Sequence, residues 1–167
     1  SGVFGTRRFL TALRSALRGA RPSEPPSAQP AVGPDATVEL DPAAVRRPGW
    51  GYAPKNDGAL DPGEVVWTWV PYQERDGRGK DRPVLVVATL TGGAVLAVQL
   101  TSADHTGEVD HVALGVGPWD HQRRSSWAAL DRIFRVSAGG VRREGTFVDA
   151  ARYRAVEDAL RRRYGWR

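Results

Sequence analysis

Residues 64–101 read EVVWTWVPYQERDGRGKDRPVLVVATLTGGAVLAVQLT, and this stretch decides the fold. Glu64–Tyr72 is β-branched and aromatic, with Val65, Trp67 and Trp69 on one face of a strand and Val66, Thr68 and Val70 on the other. The glycine-bearing polar run Gln73–Asp81 is a loop. Arg82–Leu90 is apolar at nearly every position, as in a strand buried on both faces. Its proline, Pro83, sits near the strand start, where a missing N–H is tolerated. Thr91-Gly92-Gly93 then turns the chain into Ala94–Thr101, so these two strands form a hairpin.

Moving outward, His111–Leu114 and Ser125–Val136 read as further strands, followed by a turn at Gly139-Gly140. Tyr153, Val156, Leu160 and Tyr164 fall at helical spacing, which predicts a helix over Asp149–Arg163 with Asp149 or Thr146 as its N-cap. The expected class is mostly β with a C-terminal α element: an SH3-like small barrel over residues 61–167, preceded by a flexible N-terminal arm. Residues 1–21 form a basic amphipathic segment, with Phe9, Leu10, Leu13 and Leu17 apolar and Arg7, Arg14 and Arg18 on another face. Residues 22–60 are a proline-rich linker and arm, whose Val38, Leu40, Val45, Trp50 and Tyr52 can dock on a surface. Arg14 and Arg18 interrupt any export-signal core, so a cytoplasmic protein with no membrane partner is expected.

A chain of 167 residues suits one ordinary domain, and 41% hydrophobic with 26% charged residues excludes wholesale disorder. Cysteine is absent, which removes disulfides, thiolate metal sites and cysteine nucleophiles. The net charge of +5 is unevenly spread. Residues 1–21 carry five arginines and no acid, residues 22–118 seven basic and thirteen acidic side chains, and residues 119–167 twelve and six. Such asymmetry suits a protein that holds a polyanion on one face, and equally suits solvated arginines on a terminal helix.

Three motifs sharpen the reading. Pro62-Gly63-Glu64-Val65-Val66-Trp67, a loop ending Gly79-Lys80-Asp81, and Arg82-Pro83-Val84-Leu85-Val86-Val87 stand in order. They are followed by Val98-Gln99-Leu100-Thr101-Ser102 and Leu130-Asp131-Arg132-Ile133. In order and spacing, over about residues 61–165, this resembles the MazF/PemK family of toxins, whose pattern runs Gly-Asp/Glu-Ile/Val, a glycine-rich loop, Arg-Pro-x-Leu-Val and a strand ending Thr-Ser. The resemblance implies a sequence-specific endoribonuclease that cleaves single-stranded RNA without a metal or other cofactor. In that chemistry the 2′-hydroxyl attacks the adjacent phosphorus and leaves a cyclic phosphate and a 5′-hydroxyl. It also implies the toxin half of a toxin–antitoxin pair: a homodimer with a cognate antitoxin, meeting operator DNA only with that antitoxin. The alternative is a non-catalytic SH3-like module that binds nucleic acid or a partner.

The implied site follows residue by residue. Arg82 matches the family's catalytic arginine, whose planar fork can hold two phosphate oxygens; otherwise it is a strand-start arginine in an ion pair with Asp81 or Glu64. Thr101 matches the catalytic threonine and orients the phosphate or relays a proton, with Ser102 as a second donor; both residue types also end strands for purely structural reasons. Asp131 stands where some members carry an acidic base. The sequence departs from plasmid-type members at Ala129 and from the family's Ile-Arg-Thr at Phe134, where they have arginines, and Arg132 or Arg135 is the substitute. Arg75, Arg78 and Lys80 line a loop that shapes the RNA groove in the family. Of His105, His111 and His121, the first lies nearest Thr101 and is the candidate histidine near the phosphate. Their long irregular spacing and the absence of thiolates argue against zinc.

Overall fold

The computed structural model describes residues 33–52, 54, 59–74 and 76–167. The basic segment 1–21, the first part of the proline-rich linker and Arg75 lie outside the described residues. Eight strands and one helix are present among those described: β1 (Val38–Leu40), β2 (Glu64–Pro71), β3 (Gly79–Thr89), β4 (Val95–Thr101), β5 (His111–Gly115), β6 (Ser126–Ala129), β7 (Ile133–Val136), β8 (Val141–Phe147) and α1 (Ala150–Tyr164).

The strands pair antiparallel in the order β1-β7-β4-β3-β2-β8, while β6 joins β4 to β5 off this path. The fold class is the one expected, mostly β with a C-terminal helix. The sheet curls without closing into a continuous ladder. Instead of backbone bonds, side chains span from β1 to β2: the Thr37 and Thr68 hydroxyls bond at 2.7 Å, and Arg132 reaches both Glu39 and the Pro71 carbonyl.

β3 is buried on both faces, as its composition predicts. Leu85 and Val87 join Val65, Leu96 and Val98 under the helix residues Tyr153, Val156 and Leu160. Val84 and Val86 join Val66, Val70, Ala97, Phe134 and Val136 in a second apolar layer. The helix begins where Asp149 accepts the Arg152 N–H at 2.8 Å, which satisfies one of the orphan donors of its first turn. It ends at Gly165, whose φ of 69° is the left-handed conformation glycine supplies cheaply. No helix among the described residues is long and apolar enough to cross a membrane.

Three features differ from the sequence expectation, besides the start of β3 at Gly79 inside the predicted loop Gln73–Asp81, where Gly79, Lys80 and Asp81 pair with Pro71, Val70 and Trp69. The predicted strand over Ser125–Val136 is two strands, because β6 pairs with the end of β4 at Leu100 and Thr101 while β7 pairs with its start at Val95–Ala97. Between them the Leu130 N–H leaves the ladder for the Asp110 carbonyl, and the Tyr164 hydroxyl caps the Leu130 carbonyl. Second, Val141–Phe147 is a strand, β8, at the edge against β2. Third, the arm adds a strand: β1 pairs with β7 and Gly49 bridges Thr89, while Leu40, Val45, Trp50 and Tyr52 pack on the core as the sequence suggests and Val38 is left exposed. Tyr52 also explains the glycine of the Pro-Gly-Glu motif. Gly63 has φ 105°, and a Cβ there would lie 2.5 Å from the Tyr52 ring.

Candidate active site

The strand ends of β3 and β4 open onto a cleft of about 320 Å³, walled by Trp67, Pro83, Leu100 and Trp119. Arg82, Lys80, Thr101 and Ser102 all line it, so the structure brings together four residues singled out by sequence. Arg82 faces Thr68 across the β2–β3 ladder. Asp81 and Glu64 are both held by arginines of β8. Arg142 Nη1 lies 2.7 Å from Asp81, and Arg143 grips both oxygens of the fully buried Glu64 at 2.8 Å each.

Thr101 ends β4 opposite Trp127 on β6. Its Oγ1 accepts the Ala103 N–H at 3.2 Å, a local turn that fixes the oxygen while its own hydrogen can still donate into the cleft. Ser126, a buried residue of the cleft lining, accepts the Trp119 indole N–H at 3.1 Å.

The cleft also takes in His121, the histidine that the sequence reading sets behind His105, and Glu144, which it does not single out. His121 rides on the β5–β6 loop, which is moored by buried Trp119 and by Asp120. The Asp120 carboxylate accepts the Gln122 N–H at 2.9 Å and Arg124 Nε at 2.8 Å. Burial pushes its carboxyl up, but the Arg124 and Gln122 bonds outweigh that and hold it below the usual carboxylate range. On this platform His121 Nε2 lies 3.2 Å from Glu144 Oε1 of β8, and its ring stands 6.5 Å from that of Trp67. His121 is 66% exposed, open to an incoming ligand. With Nε2–H donating to Glu144, Nδ1 carries the lone pair, the arrangement that makes an imidazole a directed base.

The remaining sequence candidates lie elsewhere. Asp131 sits exposed in the turn between β6 and β7, at the opposite end of β6 from Ser126, on the order of 10–15 Å along an extended chain. Arg132, only 12% exposed, spends its guanidinium on Glu39 at 3.0 Å and the Pro71 carbonyl at 2.7 Å. Arg78 pairs with Asp76 at the tip of the β2–β3 loop, and that bond lowers the Asp76 carboxyl. His105 stands in the β4–β5 loop against His111 rather than in the cleft.

These features define a small curled β domain whose strand ends carry an arginine, hydroxyls and a carboxylate-held imidazole around one cleft. Residues 61–163 match the model of the PemK-like, MazF-like toxins of type II toxin–antitoxin systems, and the chain belongs to that family. No curated protein matches the chain. Among solved structures, MazE–MazF from Deinococcus radiodurans in crystal Form-II is 19% identical with a TM-score of 0.48, over 64% of this chain and 96% of that one. Form-III gives 19% and 0.49 over 65% and 99%. Mycobacterium tuberculosis toxin MazF-mt6 is 15% identical with a TM-score of 0.42, over 61% and 98%.

Proposed function

We propose that this toxin-family chain is an endoribonuclease that cleaves single-stranded RNA at chosen sequences by attack of the 2′-hydroxyl on the adjacent phosphorus. The single observation that carries the reading is the cleft in which Arg82, Thr101 and Ser102 face the His121–Glu144 pair. Arg82 holds two non-bridging phosphate oxygens and stabilises the phosphorane, and the Thr101 and Ser102 hydroxyls donate to the same group. His121 Nδ1 takes the proton of the 2′-hydroxyl as the 2′-O–P bond forms. The P–O5′ bond then breaks, the 5′-oxygen takes a proton from water, and a cyclic phosphate remains. Because the nucleophile is part of the substrate, the reaction needs no metal-bound hydroxide, and the 2′-hydroxyl requirement separates RNA from DNA.

Membership of a toxin–antitoxin family supports a cytoplasmic toxin silenced by a cognate antitoxin, with operator DNA met only in that complex, and a homodimer as the working unit.

The test is to incubate the chain with a long single-stranded RNA in EDTA and to map cut sites and end chemistry. Cyclic-phosphate and 5′-hydroxyl ends at a recurring sequence are expected. Arg82→Ala lowers the rate by about 10²–10³, as loss of a transition-state donor does. His121→Gln lowers it by about 10²–10⁴. A parent chain that binds RNA without cutting it would instead make this a binding module.

A further inference from the structure

The loop joining β4 to β5 gathers His105, Glu108 and His111, residues the cleft does not use. Each is three positions from the next, and each step is closed by a backbone turn. The Glu108 N–H donates to the His105 carbonyl at 3.0 Å, and the His111 N–H to the Glu108 carbonyl at 3.3 Å. Two consecutive turns therefore stack three side chains on one side of the loop. Upstream, Asp104 accepts both the N–H and the hydroxyl of Thr106, at 2.9 and 2.6 Å, which fixes the entry to the first turn.

Two imidazole nitrogens converge on one carboxylate oxygen. His105 Nδ1 is 3.0 Å and His111 Nδ1 3.6 Å from Glu108 Oε1, and a ligand atom from each of the three residues lies within 4.8 Å of the others. Asp110 adds a second carboxylate, 2.8 Å from His111 Nδ1. The rings themselves stack at 3.7 Å, 5° from parallel. Two imidazoles with a carboxylate form the donor set of zinc and similar divalent transition ions, whereas magnesium and calcium take oxygen.

We infer that His105, Glu108 and His111 form a binding site for one divalent transition-metal ion of the zinc type, separate from the cleft. Its role is to pin the loop that follows Thr101 and Ser102. An ion lies in the plane of each imidazole it binds, so two nearly parallel rings cannot share one until a ring turns. His111 begins β5 and is 9% exposed; His105 sits in the loop at 24% and is the ring that turns. That motion breaks the edge contact of His105 with Trp127, whose ring centroid is 6.3 Å away at 76°. Zinc uptake thus carries its own optical signal.

The experiment titrates zinc chloride into the chelator-washed chain against a chromogenic chelator and follows tryptophan fluorescence, with Trp127→Phe as the optical control. One zinc ion per chain is expected, with a fluorescence change that Trp127→Phe removes. His105→Gln, His111→Gln and Glu108→Gln each weaken binding by at least about 10–100-fold, the loss that even a supporting partner of a metal site brings. Cobalt(II) in place of zinc gives the intense visible absorption of a four-coordinate site. Stoichiometric binding that survives His105→Gln, binding lost with His121→Gln instead, or no retained zinc overturns the proposal. If His111→Gln fails to fold, His105→Gln, a partly exposed loop residue, decides alone. Cleavage in EDTA is a separate readout, so failure here leaves the nuclease reading standing, and the reverse holds too.

Discussion

The cleft and the β4–β5 loop both put histidine against carboxylate, yet they are assembled in opposite ways. His121 and Glu144 are 23 positions apart and meet only because β8 docks on β2 while the β5–β6 loop is moored by Trp119 and Asp120. His105, Glu108 and His111 span seven residues and meet through two local turns. The first cluster is therefore only as stable as the packing of an edge strand; the second depends on its own turns and, at His111, on the β5–β6 ladder. Chemistry that needs a cleft, with water-facing and wall-forming groups drawn from several strands, has to be built the first way. A local ion clip does not.

The largest expected effect breaks the cleft and spares the loop. Glu64 is 0% exposed, and Arg143 of β8 bonds both its oxygens. Arg143→Ala leaves that carboxylate buried without its main partner, a loss of about 3–5 kcal/mol by the usual cost of breaking such a pair. Urea unfolding reads it. Because Glu144 is the next residue along β8, cleavage falls with it beyond what the unfolded fraction explains, while zinc binding by the folded fraction holds. Equal loss of both would mean that the loop, too, depends on the β8 edge.

Next in size is a pH effect on the seam that ties arm, sheet and helix together. The Tyr153 hydroxyl donates to the Val87 carbonyl at 2.6 Å and accepts the Gly51 N–H at 3.1 Å. Burial pushes its pKa up from 10.0 to about 12. A group whose folded pKa is raised contributes stability that is complete below its unfolded value and is lost as pH rises through the folded one. Stability should therefore hold below pH 10 and fall by on the order of 2–3 kcal/mol as the pH passes from 10 to about 12. Tyr153→Phe should flatten that alkaline limb in melts recorded across the range. An unchanged limb would assign it to other groups.

The same contrast explains what the sequence made legible. From Pro83 to Ala88, β3 sits between two neighbours and two apolar layers, so every residue there had to be apolar and that part of the strand announced itself. The Asp149 cap and the tyrosine–valine–leucine face of α1 were equally plain. Val141-Arg-Arg-Glu-Gly-Thr-Phe147 was not, because an edge strand keeps charged side chains, and here Arg142 and Arg143 are spent on Asp81 and Glu64. With β8 unread, Glu144 had no address and His121 no partner. Arg82, Thr101, Ser102 and Lys80 were found because they lie in or next to strands that the apolar pattern had already fixed. The spacing of His105 and His111 looks irregular in sequence, since a list of histidine positions does not show that Glu108 lies midway on two turns.

The smallest expected effect sharpens the comparison at a third carboxylate. Asp131 matches an acidic base by resemblance, yet its turn lies at the far end of β6 from Ser126 and outside the cleft lining. Asp131 is not among the residues that line the cleft with Arg82 and Thr101, and a transferred proton needs a donor–acceptor approach of about 2.6–3.2 Å or one bridging water. Asp131→Asn, which keeps shape and removes only charge, should leave cleavage within about threefold of the parent, a screened long-range contribution at most. His121→Gln measured in the same RNA assay supplies the contrast. If Asp131→Asn instead costs about 10²–10⁴, the size of a lost general base, the proton acceptor stands at the β6–β7 turn. It would then have to reach the cleft of a second copy, with the site completed across the homodimer. Mixing Asp131→Asn chains with Arg82→Ala chains tests that directly: activity regained on mixing places the two residues in one composite site, and activity that stays lost returns the base to His121.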